Sequence, residues 1–389
     1  MNILDEGKRK CVGCGACVSV CNKSAISIQF DSNGFMMPNI KNEQCVACGL
    51  CKKVCIKYED RERYTLSRAD MNYAYSLDGN IRNNSSSGGI GYEIAKAGIE
   101  SGYEVWGCIY DKKLGEARHI CAHAISEIEL FQGSKYLHSN LTEFYKELVA
   151  GKSSRLMLFA LPCQVRAARN IIDNLKIQKN VILIDLFCRG VPSQEIWTKY
   201  TNYIAEKYDI EDIQFLRFRD KKYGWHSCQI SITGQNNNYS QPASSDYFYK
   251  LYTSGLCFRD SCYSCKLKLE NSYSDIRIGD YWGERFKENE EGVSLVILNS
   301  ESGKKIWEKV KNNVFTDRVE FSEVASAQGL IYNTYSSKVV RMRKMLRTQN
   351  IQQVVEKMCR PSLIRRMYNS MPESLKKIYR HIKSDYFGK

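Results

Sequence analysis

Two cysteine-rich stretches near the start of the chain, CVGCGACVSVC (Cys11–Cys21) and CVACGLCKKVC (Cys45–Cys55), decide the fold of its first part. Both read C-x2-C-x2-C-x3-C. Two-residue gaps let a tight loop wrap three thiolates around one face of an iron–sulfur cubane, so the fourth thiolate has to come from elsewhere. In proteins with two clusters, the last cysteine of the other quartet supplies it.

The repeat therefore predicts two sets of cluster ligands. These sets are Cys11, Cys14, Cys17 and Cys55, and Cys45, Cys48, Cys51 and Cys21. Between the quartets, two alternating segments flank the turn residues 31–34, which predicts a β-hairpin. This is the spacing of a bacterial-type ferredoxin domain, an α+β module that we assign to residues 1–60.

Asn22 and Ile56 stand where such motifs usually have proline, which we expect to change local rigidity and not ligation. Tetrahedral zinc or a disulfide knot is the alternative interpretation. Zinc is disfavoured because its sites use four ligands in paired knuckles and not two three-plus-one sets.

The composition of the chain also favours metal binding. Its 389 residues suggest two or three folding units. No apolar run approaches the roughly 18 residues that a membrane span needs, and the N-terminal residues lack a secretory signal. We therefore expect a cytoplasmic protein in a reducing compartment, where 17 cysteines call for metal binding.

Beyond the quartets, the charged stretch KYEDRER (57–63) and the polar residues after it predict a linker at 61–80. Helical and strand-like apolar periods then alternate, which predicts an α/β body at 81–330. Additional strands near residues 213–218, 228–232, 275–278 and 293–298 indicate a mixed sheet.

Four short motifs lie at strand ends or helix starts of this body. The turn SSSGGI (85–90) opens a helix, where backbone N–H groups favour an anion such as phosphate. The loop QGSKY (132–136) combines a cation with an aromatic ring. Cys163 and Cys188 follow consecutive strands, and parallel pairing would bring them together. With the C-x2-C pair at 262–265 they make four thiolates, although two core cysteines and an unrelated surface pair remain the alternative.

In their order along the chain, the motifs resemble the coenzyme F420 hydrogenase/dehydrogenase beta-subunit family. The resemblance covers residues 1 to about 300 and also includes FRDKKYGW (218–225) and DIRIGDYWG (275–283). Members of that family are iron–sulfur flavoproteins that bind FAD. They exchange hydride or electrons with a partner cofactor or substrate.

The resemblance implies a role for each motif. The FAD contacts would be Ser87, Gly88, Gly89, Ser134, Lys135 and Tyr136. Among these, Lys135 would stabilise a reduced flavin and Tyr136 would stack or hydrogen-bond, which makes them the catalytic candidates. A third 4Fe-4S cluster would be held by Cys163, Cys188, Cys262 and Cys265. The family commonly has histidine at position 189, but an arginine there stays charged and cannot shuttle protons.

The implied activity is electron passage between 4Fe-4S clusters and FAD, with hydride exchange with coenzyme F420 or another organic acceptor. A redox partner protein or a small electron carrier would supply or receive the electrons. Two alternatives stay open. The chain could be a non-catalytic electron-transfer subunit of a larger complex, or a reductase in a polysaccharide biosynthesis pathway.

The tail at 331–389 is predicted to be helical and basic. From residue 338 onward it contains 14 Lys/Arg and 3 Asp/Glu, most of the net charge of +14. Its apolar residues permit amphipathic helices that dock on the body, on a redox partner or on an anionic membrane surface. Nucleic-acid binding is disfavoured because no nucleic-acid motif accompanies the charge. The remaining body cysteines are expected to be structural, with Cys257 as a spare ligand.

Overall fold

The structure of the chain is a computed structural model that describes residues 10–58, 63–151, 153–268, 271–328 and 334–360. The strands of this part of the chain are β1 (Ile26–Phe30), β2 (Met36–Ile40), β3 (Tyr64–Thr65), β4 (Asp70–Ser76), β5 (Glu104–Asp111), β6 (Glu116–Ala122), β7 (Ser139–Asn140), β8 (Arg155–Ala160), β9 (Asn180–Leu186), β10 (Phe215–Asp220), β11 (Gln229–Thr233), β12 (Asn238–Pro242), β13 (Asn271–Ser272), β14 (Ile276–Asp280), β15 (Ser294–Leu298) and β16 (Val314–Arg318). Its α-helices are α1 (Ala16–Ser19), α2 (Leu50–Lys53), α3 (Gly79–Asn84), α4 (Ile90–Glu100), α5 (Ile125–Ile128), α6 (Thr142–Ala150), α7 (Pro162–Leu175), α8 (Gln194–Tyr208), α9 (Tyr247–Ser254), α10 (Glu301–Val310), α11 (Phe321–Ala327), α12 (Ser337–Leu346) and α13 (Ile351–Met358).

The N-terminal module repeats one short pattern twice. Each cysteine loop leads into a single helical turn, α1 or α2, and Gly15 and Gly49 precede these turns with φ of +87° and +78°. Such left-handed backbone is adopted readily only by glycine. The antiparallel hairpin β1–β2 lies between the two loops, as predicted.

The hairpin turn of the module is fastened to the body. Ser193 and Gln194, at the start of α8, donate hydrogen bonds to the carbonyl oxygens of Asn33 and Gly34. A Cβ on Gly34 would lie 2.6 Å from the Glu195 backbone nitrogen. The turn therefore fits against α8 only because residue 34 has no side chain.

Within the described residues, the body is built on a nine-stranded mixed sheet in the order β16-β4-β15-β14-β9-β8-β5-β6-β7. The central pairs β5–β8, β8–β9 and β9–β14 are parallel, whereas β14–β15, β15–β4 and β4–β16 are antiparallel. This confirms the predicted α/β body with a mixed sheet. The predicted strands near 213 and 228 instead belong to a separate antiparallel sheet, β10-β11-β12.

The prediction of a linker at 61–80 is wrong, because β4 lies inside it. β4 pairs with β15 on one side and β16 on the other. Met71, Tyr73 and Ala74 are buried, although the sequence of this strand, DMNYAYS, contains several polar residues. A strand whose tyrosines pack inward is easily hidden when charged residues precede it.

The first part of the basic tail is docked on the body. Helices α12 and α13 bury five apolar side chains in a core shared with α8 and α9: Met342, Leu346, Ile351, Val354 and Val355. This confirms the expected helices in that stretch. The rest of the predicted tail, 361–389, lies outside the described residues. Among the described helices, none is long and apolar enough to cross a membrane.

A buried ion pair joins β9 to β14 at the centre of the sheet. Asp185 and Arg277 are register partners, and both side chains are at most 1% exposed. The guanidinium binds the carboxylate through two contacts of 2.7 Å, and Ser274 donates a further hydrogen bond to Asp185. The aspartate of the DLFC motif therefore has a structural role, holding adjacent strands in register.

Removing one partner of this pair should be costly. In Arg277→Met the Asp185 carboxylate stays buried without its cation, and we expect a loss of about 3–5 kcal/mol in the free energy of unfolding. Urea denaturation followed by tryptophan fluorescence measures this loss. Arg285→Met is the matched control, because Arg285 forms an exposed ion pair with Glu323 and should cost less than about 1 kcal/mol. Equal losses in the two variants would contradict the structural role.

Candidate functional site

The cysteines of the second quartet meet at the outer end of the module. One small cavity is lined by Cys45, Cys48, Cys51 and, from the first quartet, Cys21. We call these four thiols the distal set. Cys48 is exposed, so this set lies at the surface.

A second group, the proximal set, consists of Cys11, Cys14, Cys17 and Cys55. Cys14 lies within electrostatic range of Cys55 and Cys11, and Cys17 within range of all three. Burial raises the pKa of Cys14 to about 12 and that of Cys55 to about 11, and the neighbouring thiols add to both shifts. The two sets have the composition that the exchange of fourth ligands predicts.

A third group, the inner set, forms in the body from Cys163, Cys188, Cys262 and Cys265. Cys163 is the second residue of α7, Cys188 follows β9, and the other two lie at the short helical turn Asp260–Ser264. Cys163 is within electrostatic range of the three other thiols. Burial, followed by the neighbouring thiols, raises the pKa of Cys188 to about 12. The structure thus brings together four thiols from three separate segments.

The proximal and inner sets are close neighbours. Cys163 is within electrostatic range of Cys14. Tyr145 on α6 is fully buried beside both sets, within range of Cys14, Cys163 and Cys17, and its hydroxyl donates to the Gln164 carbonyl at 2.8 Å. The thiol sets therefore follow one another from the module surface into the body.

All three donor sets suit iron–sulfur clusters. Each gathers four thiols, and a coordinated thiol is deprotonated by its metal even where burial alone would keep it protonated. In the described part of the chain, no group of three or more His, Cys, Asp or Glu side chains is arranged to hold a single metal ion.

Next to the inner set lies a cleft with a volume of about 360 Å³. Its walls include residues 159–161, 186–192 and 278–280, which end or follow the parallel strands β8, β9 and β14. Clefts at the carboxyl ends of parallel strands are where α/β proteins bind ligands. Cys188 belongs to the inner set and also lines this cleft.

Five of the six predicted flavin contacts line the cleft: Ser87, Gly89, Ser134, Lys135 and Tyr136. Gly88 is not among the lining residues. A Cβ there would lie 2.6 Å from the Ala74 carbonyl oxygen and 2.8 Å from the Ser294 nitrogen. This glycine is required for close packing of the turn on β4 and β15.

The ammonium group of Lys135 is engaged within its own loop. Nζ donates to the carbonyl oxygens of Leu130, Phe131 and Gln132 at 3.2, 3.0 and 2.9 Å. Burial lowers the pKa of Lys135 to about 8. The three carbonyls stabilise the charged form, so Lys135 shapes the loop and leaves a positive charge beside the cleft.

Tyr136 lies in an aromatic cluster with Phe218, Tyr249 and Tyr252, with ring centroids 4.7–5.9 Å apart. Burial raises the pKa of its phenol, which therefore stays protonated at neutral pH. Its oxygen accepts a long hydrogen bond of 3.4 Å from Arg219.

The motifs FRDKKYGW (218–225) and DIRIGDYWG (275–283) pack against each other. Arg219 forms a 2.8 Å ion pair with Asp280, which lines the cleft. Trp225 stacks on Trp282 with centroids 4.6 Å apart and donates to Asp280. These contacts fix one wall of the cleft.

Lys221 of the same motif fixes the serine-rich turn. Its Nζ donates to the carbonyl oxygens of Arg82, Ser87 and Glu291 at 2.5–2.6 Å. Ser86 accepts a 2.7 Å hydrogen bond from the Ser134 backbone N–H and so joins the two cleft loops. The position of both loops thus depends on polar contacts with distant segments.

Sequence reasoning missed one pair in the cleft wall. Cys108 on β5, expected to be purely structural, lines the cleft. Its register partner on the adjacent strand β6 is His119, which lines the cleft as well. Burial lowers the pKa of His119 to about 4, so its ring is neutral at physiological pH. An isolated cysteine within a strand gives no sequence signal of this position. Arg189 also lines the cleft and donates to the Thr253 carbonyl at 2.7 Å.

Two stretches of the chain match known protein families. Residues 10–57 match the 4Fe-4S dicluster domain, and residues 153–324 match the C terminus of the coenzyme F420 hydrogenase/dehydrogenase beta subunit. A chain in the xenon-derivatised F420-reducing [NiFe] hydrogenase complex from Methanosarcina barkeri is 16% identical, with a TM-score of 0.49 over 77% of this chain and 95% of that chain. No curated protein matches the sequence.

Together the two family matches support an iron–sulfur protein of the oxidoreductase class, with a 4Fe-4S dicluster module N-terminal to an α/β body. Residues 153–324 of that body are similar to the C-terminal domain of the coenzyme F420 hydrogenase/dehydrogenase beta-subunit family. The resemblance expected from the sequence is thereby confirmed.

Lys221 provides a test of how the cleft is held. Lys221→Met leaves three carbonyl oxygens without their charged donor, and we expect a loss of about 2 kcal/mol in the free energy of unfolding. The midpoint of urea denaturation measures it. Lys222→Met removes an exposed lysine next to it and should have little effect. If the two variants unfold alike, the lysine does not hold the turn.

Proposed function

We propose that this chain is an iron–sulfur flavoprotein that moves electrons from the module surface through three 4Fe-4S clusters to FAD in the cleft, in either direction. The hydride partner would be coenzyme F420 or another organic acceptor. The observation that carries the proposal is the position of the inner set between the proximal set and the cleft.

Exposure of the thiols supports this order of transfer. Cys48 of the distal set is exposed, Cys17 of the proximal set is buried, and the inner set lies against the cleft through Cys188. Cys14 of the proximal set and Cys163 of the inner set lie within electrostatic range of each other. A surface-to-interior sequence of this kind suits entry of single electrons from outside and delivery at a shielded site.

The cleft is suited to a dinucleotide with an anionic pyrophosphate. Gly89, with φ of +87°, precedes α4, whose N-terminal N–H groups favour a negative charge. Ser87 and Ser134 would supply polar contacts beside it, and Lys135 a fixed positive charge. A bound flavin would convert between the single electrons of clusters and the two-electron hydride.

The catalytic roles of Lys135 and Tyr136 take a more specific form. Lys135 would act through its charge, since its three N–H groups are already donated to carbonyl oxygens. Tyr136 would present a protonated phenol and an aromatic ring to the cofactor. Neither residue would need to exchange a proton with solvent.

The electron carrier at the distal set would be an acidic protein. Lys23, Lys41 and Lys53 are exposed on the module, which carries only two acidic residues, Asp31 and Glu43, between positions 10 and 57. Complementary charge steers a partner to such a surface and accelerates association at low salt.

Metal and flavin analysis tests the proposal. Protein purified without oxygen should contain about twelve iron and one FAD per chain. The double variant Cys262→Ser/Cys265→Ser should fall to about eight iron, because the inner cluster loses two ligands. Cys121→Ser, a half-buried cysteine outside the three sets, should keep all of the iron.

The outcomes separate the candidate functions. About eight iron without flavin in the unmodified protein would refute the flavoenzyme and favour an electron-transfer subunit built on the dicluster module. Full iron with FAD would support the proposal, and flavin reduction by added coenzyme F420 would then identify the acceptor.

The docking surface is tested by charge reversal. Lys23→Glu/Lys53→Glu should slow reduction of the protein by an acidic ferredoxin by about tenfold at low salt, and high salt should reduce the difference. Stopped-flow absorbance measures the rate. The control Lys112→Glu/Lys113→Glu changes the same charge in the turn between β5 and β6. Equal slowing by both variants would exclude a specific surface around the distal set.

A further inference from the structure

Arg259 connects the inner set to the proximal set. Its backbone lies in the segment that carries Cys262 of the inner set. The Arg259 N–H donates to the Val191 carbonyl, and the Arg259 carbonyl accepts from the Cys262 N–H, both at 3.0 Å. The side chain extends in the other direction, into the N-terminal module. The residue is only 3% exposed.

Within the module, the guanidinium contacts the loop of the first quartet and the hairpin. Nη2 donates to the Met36 carbonyl at 2.9 Å, and Nη1 lies 3.4 Å from the Cys11 carbonyl oxygen. The Cys11 carbonyl also accepts from Ser261 at 3.2 Å. The cation stacks over the Phe35 ring at 5.1 Å. It therefore lies against a backbone group of a proximal-set residue, three positions before an inner-set cysteine.

The charge of Arg259 is not neutralised by a carboxylate among the described residues. Its neighbour in sequence, Asp260, pairs instead with Arg343 at 2.7 Å. His138 accepts from Nη2 through Nδ1 at 3.3 Å, which requires an unprotonated nitrogen on that ring. A buried cation without a counter-ion is costly, unless another negative charge lies nearby.

The first quartet leaves room for this cation. A Cβ on Gly13, which has φ of +68°, would lie 2.6 Å from Nη2 of Arg259 and 2.8 Å from the His138 ring. The glycine between Cys11 and Cys14 therefore admits the guanidinium beside the loop. The local sequence and the distant arginine fit each other.

We propose that the fixed positive charge of Arg259 raises the reduction potentials of the proximal and inner clusters together. Each reduction adds a negative charge, and a fixed cation in a poorly screened interior stabilises it. The distal set lies at the surface, so a cluster held there should be affected least. Arg259 thus favours movement of electrons from the module surface inward. This inference rests on the cluster assignments of the proposed function.

Reduction potentials test the inference without any assay of turnover. Full-length protein purified without oxygen is titrated and followed by electron paramagnetic resonance, with Cys48→Ser identifying the distal signal. In Arg259→Gln the proximal and inner signals should move to more negative potential. We expect the equilibrium constant for electron transfer from the distal to the proximal cluster to fall about tenfold, which is about 59 mV for one electron.

Two further variants separate charge from structure. Arg259→Lys keeps the charge and should retain most of the native potentials. Arg347→Gln removes an exposed arginine that donates to Asn33 in the hairpin turn, and water should screen its loss. A shift in Arg259→Lys as large as that in Arg259→Gln would overturn the inference, as would unchanged potentials in Arg259→Gln.

Iron content distinguishes this inference from the proposed function. If the unmodified protein lacks the three clusters, the proposed function fails. If the unmodified protein holds the clusters and the reduction potentials are the same in Arg259→Gln, only the inference about Arg259 fails. Should Arg259→Gln lose its iron, Arg259→Lys decides: native potentials support the charge requirement, and loss of iron there as well reduces Arg259 to a structural contact.

Discussion

Parallel pairing of β8 with β9 is the interaction on which the rest of the site depends. Both strands end at the same edge of the sheet, so the residues that follow them, Cys163 and Cys188, come together. β14 adds a third parallel strand beside β9, locked in register by the Asp185–Arg277 pair. The inner set and the cleft therefore both lie at the edge of the sheet where these parallel strands end.

The features that could be predicted from the sequence are those encoded over short distances. The spacing within each quartet determines how a loop can wrap a cluster, and the exchange of Cys21 and Cys55 follows from the repeat itself. The neighbouring positions of Cys163 and Cys188 follow from two consecutive buried strands. Ligation of iron by these sets remains a prediction.

The features that could not be predicted are contacts between residues far apart in the chain. Arg259 reaches the carbonyl of a residue 248 positions away, and Lys221 donates to one 139 positions away. No periodicity or motif records such partners. Gly88 shows the same limit, because a glycine in a serine-rich turn suggests ligand contact until the neighbouring strands are visible. The strand β4 was hidden because its inward side chains include tyrosine.

The fastening of the hairpin turn to the start of α8 has a consequence for how such proteins are built. A dicluster domain that occupies only residues 10–57 could be treated as a cassette, exchangeable between proteins by its cysteine spacing alone. Here Ser193 and Gln194 hold the turn residues Asn33 and Gly34, and Ser261 holds the Cys11 carbonyl. A cassette from another protein would have to reproduce these backbone contacts as well as its cysteine spacing. The N-terminal module and the body therefore meet through specific backbone contacts, so a substitution that moves the backbone on one side of this junction would disturb the other side.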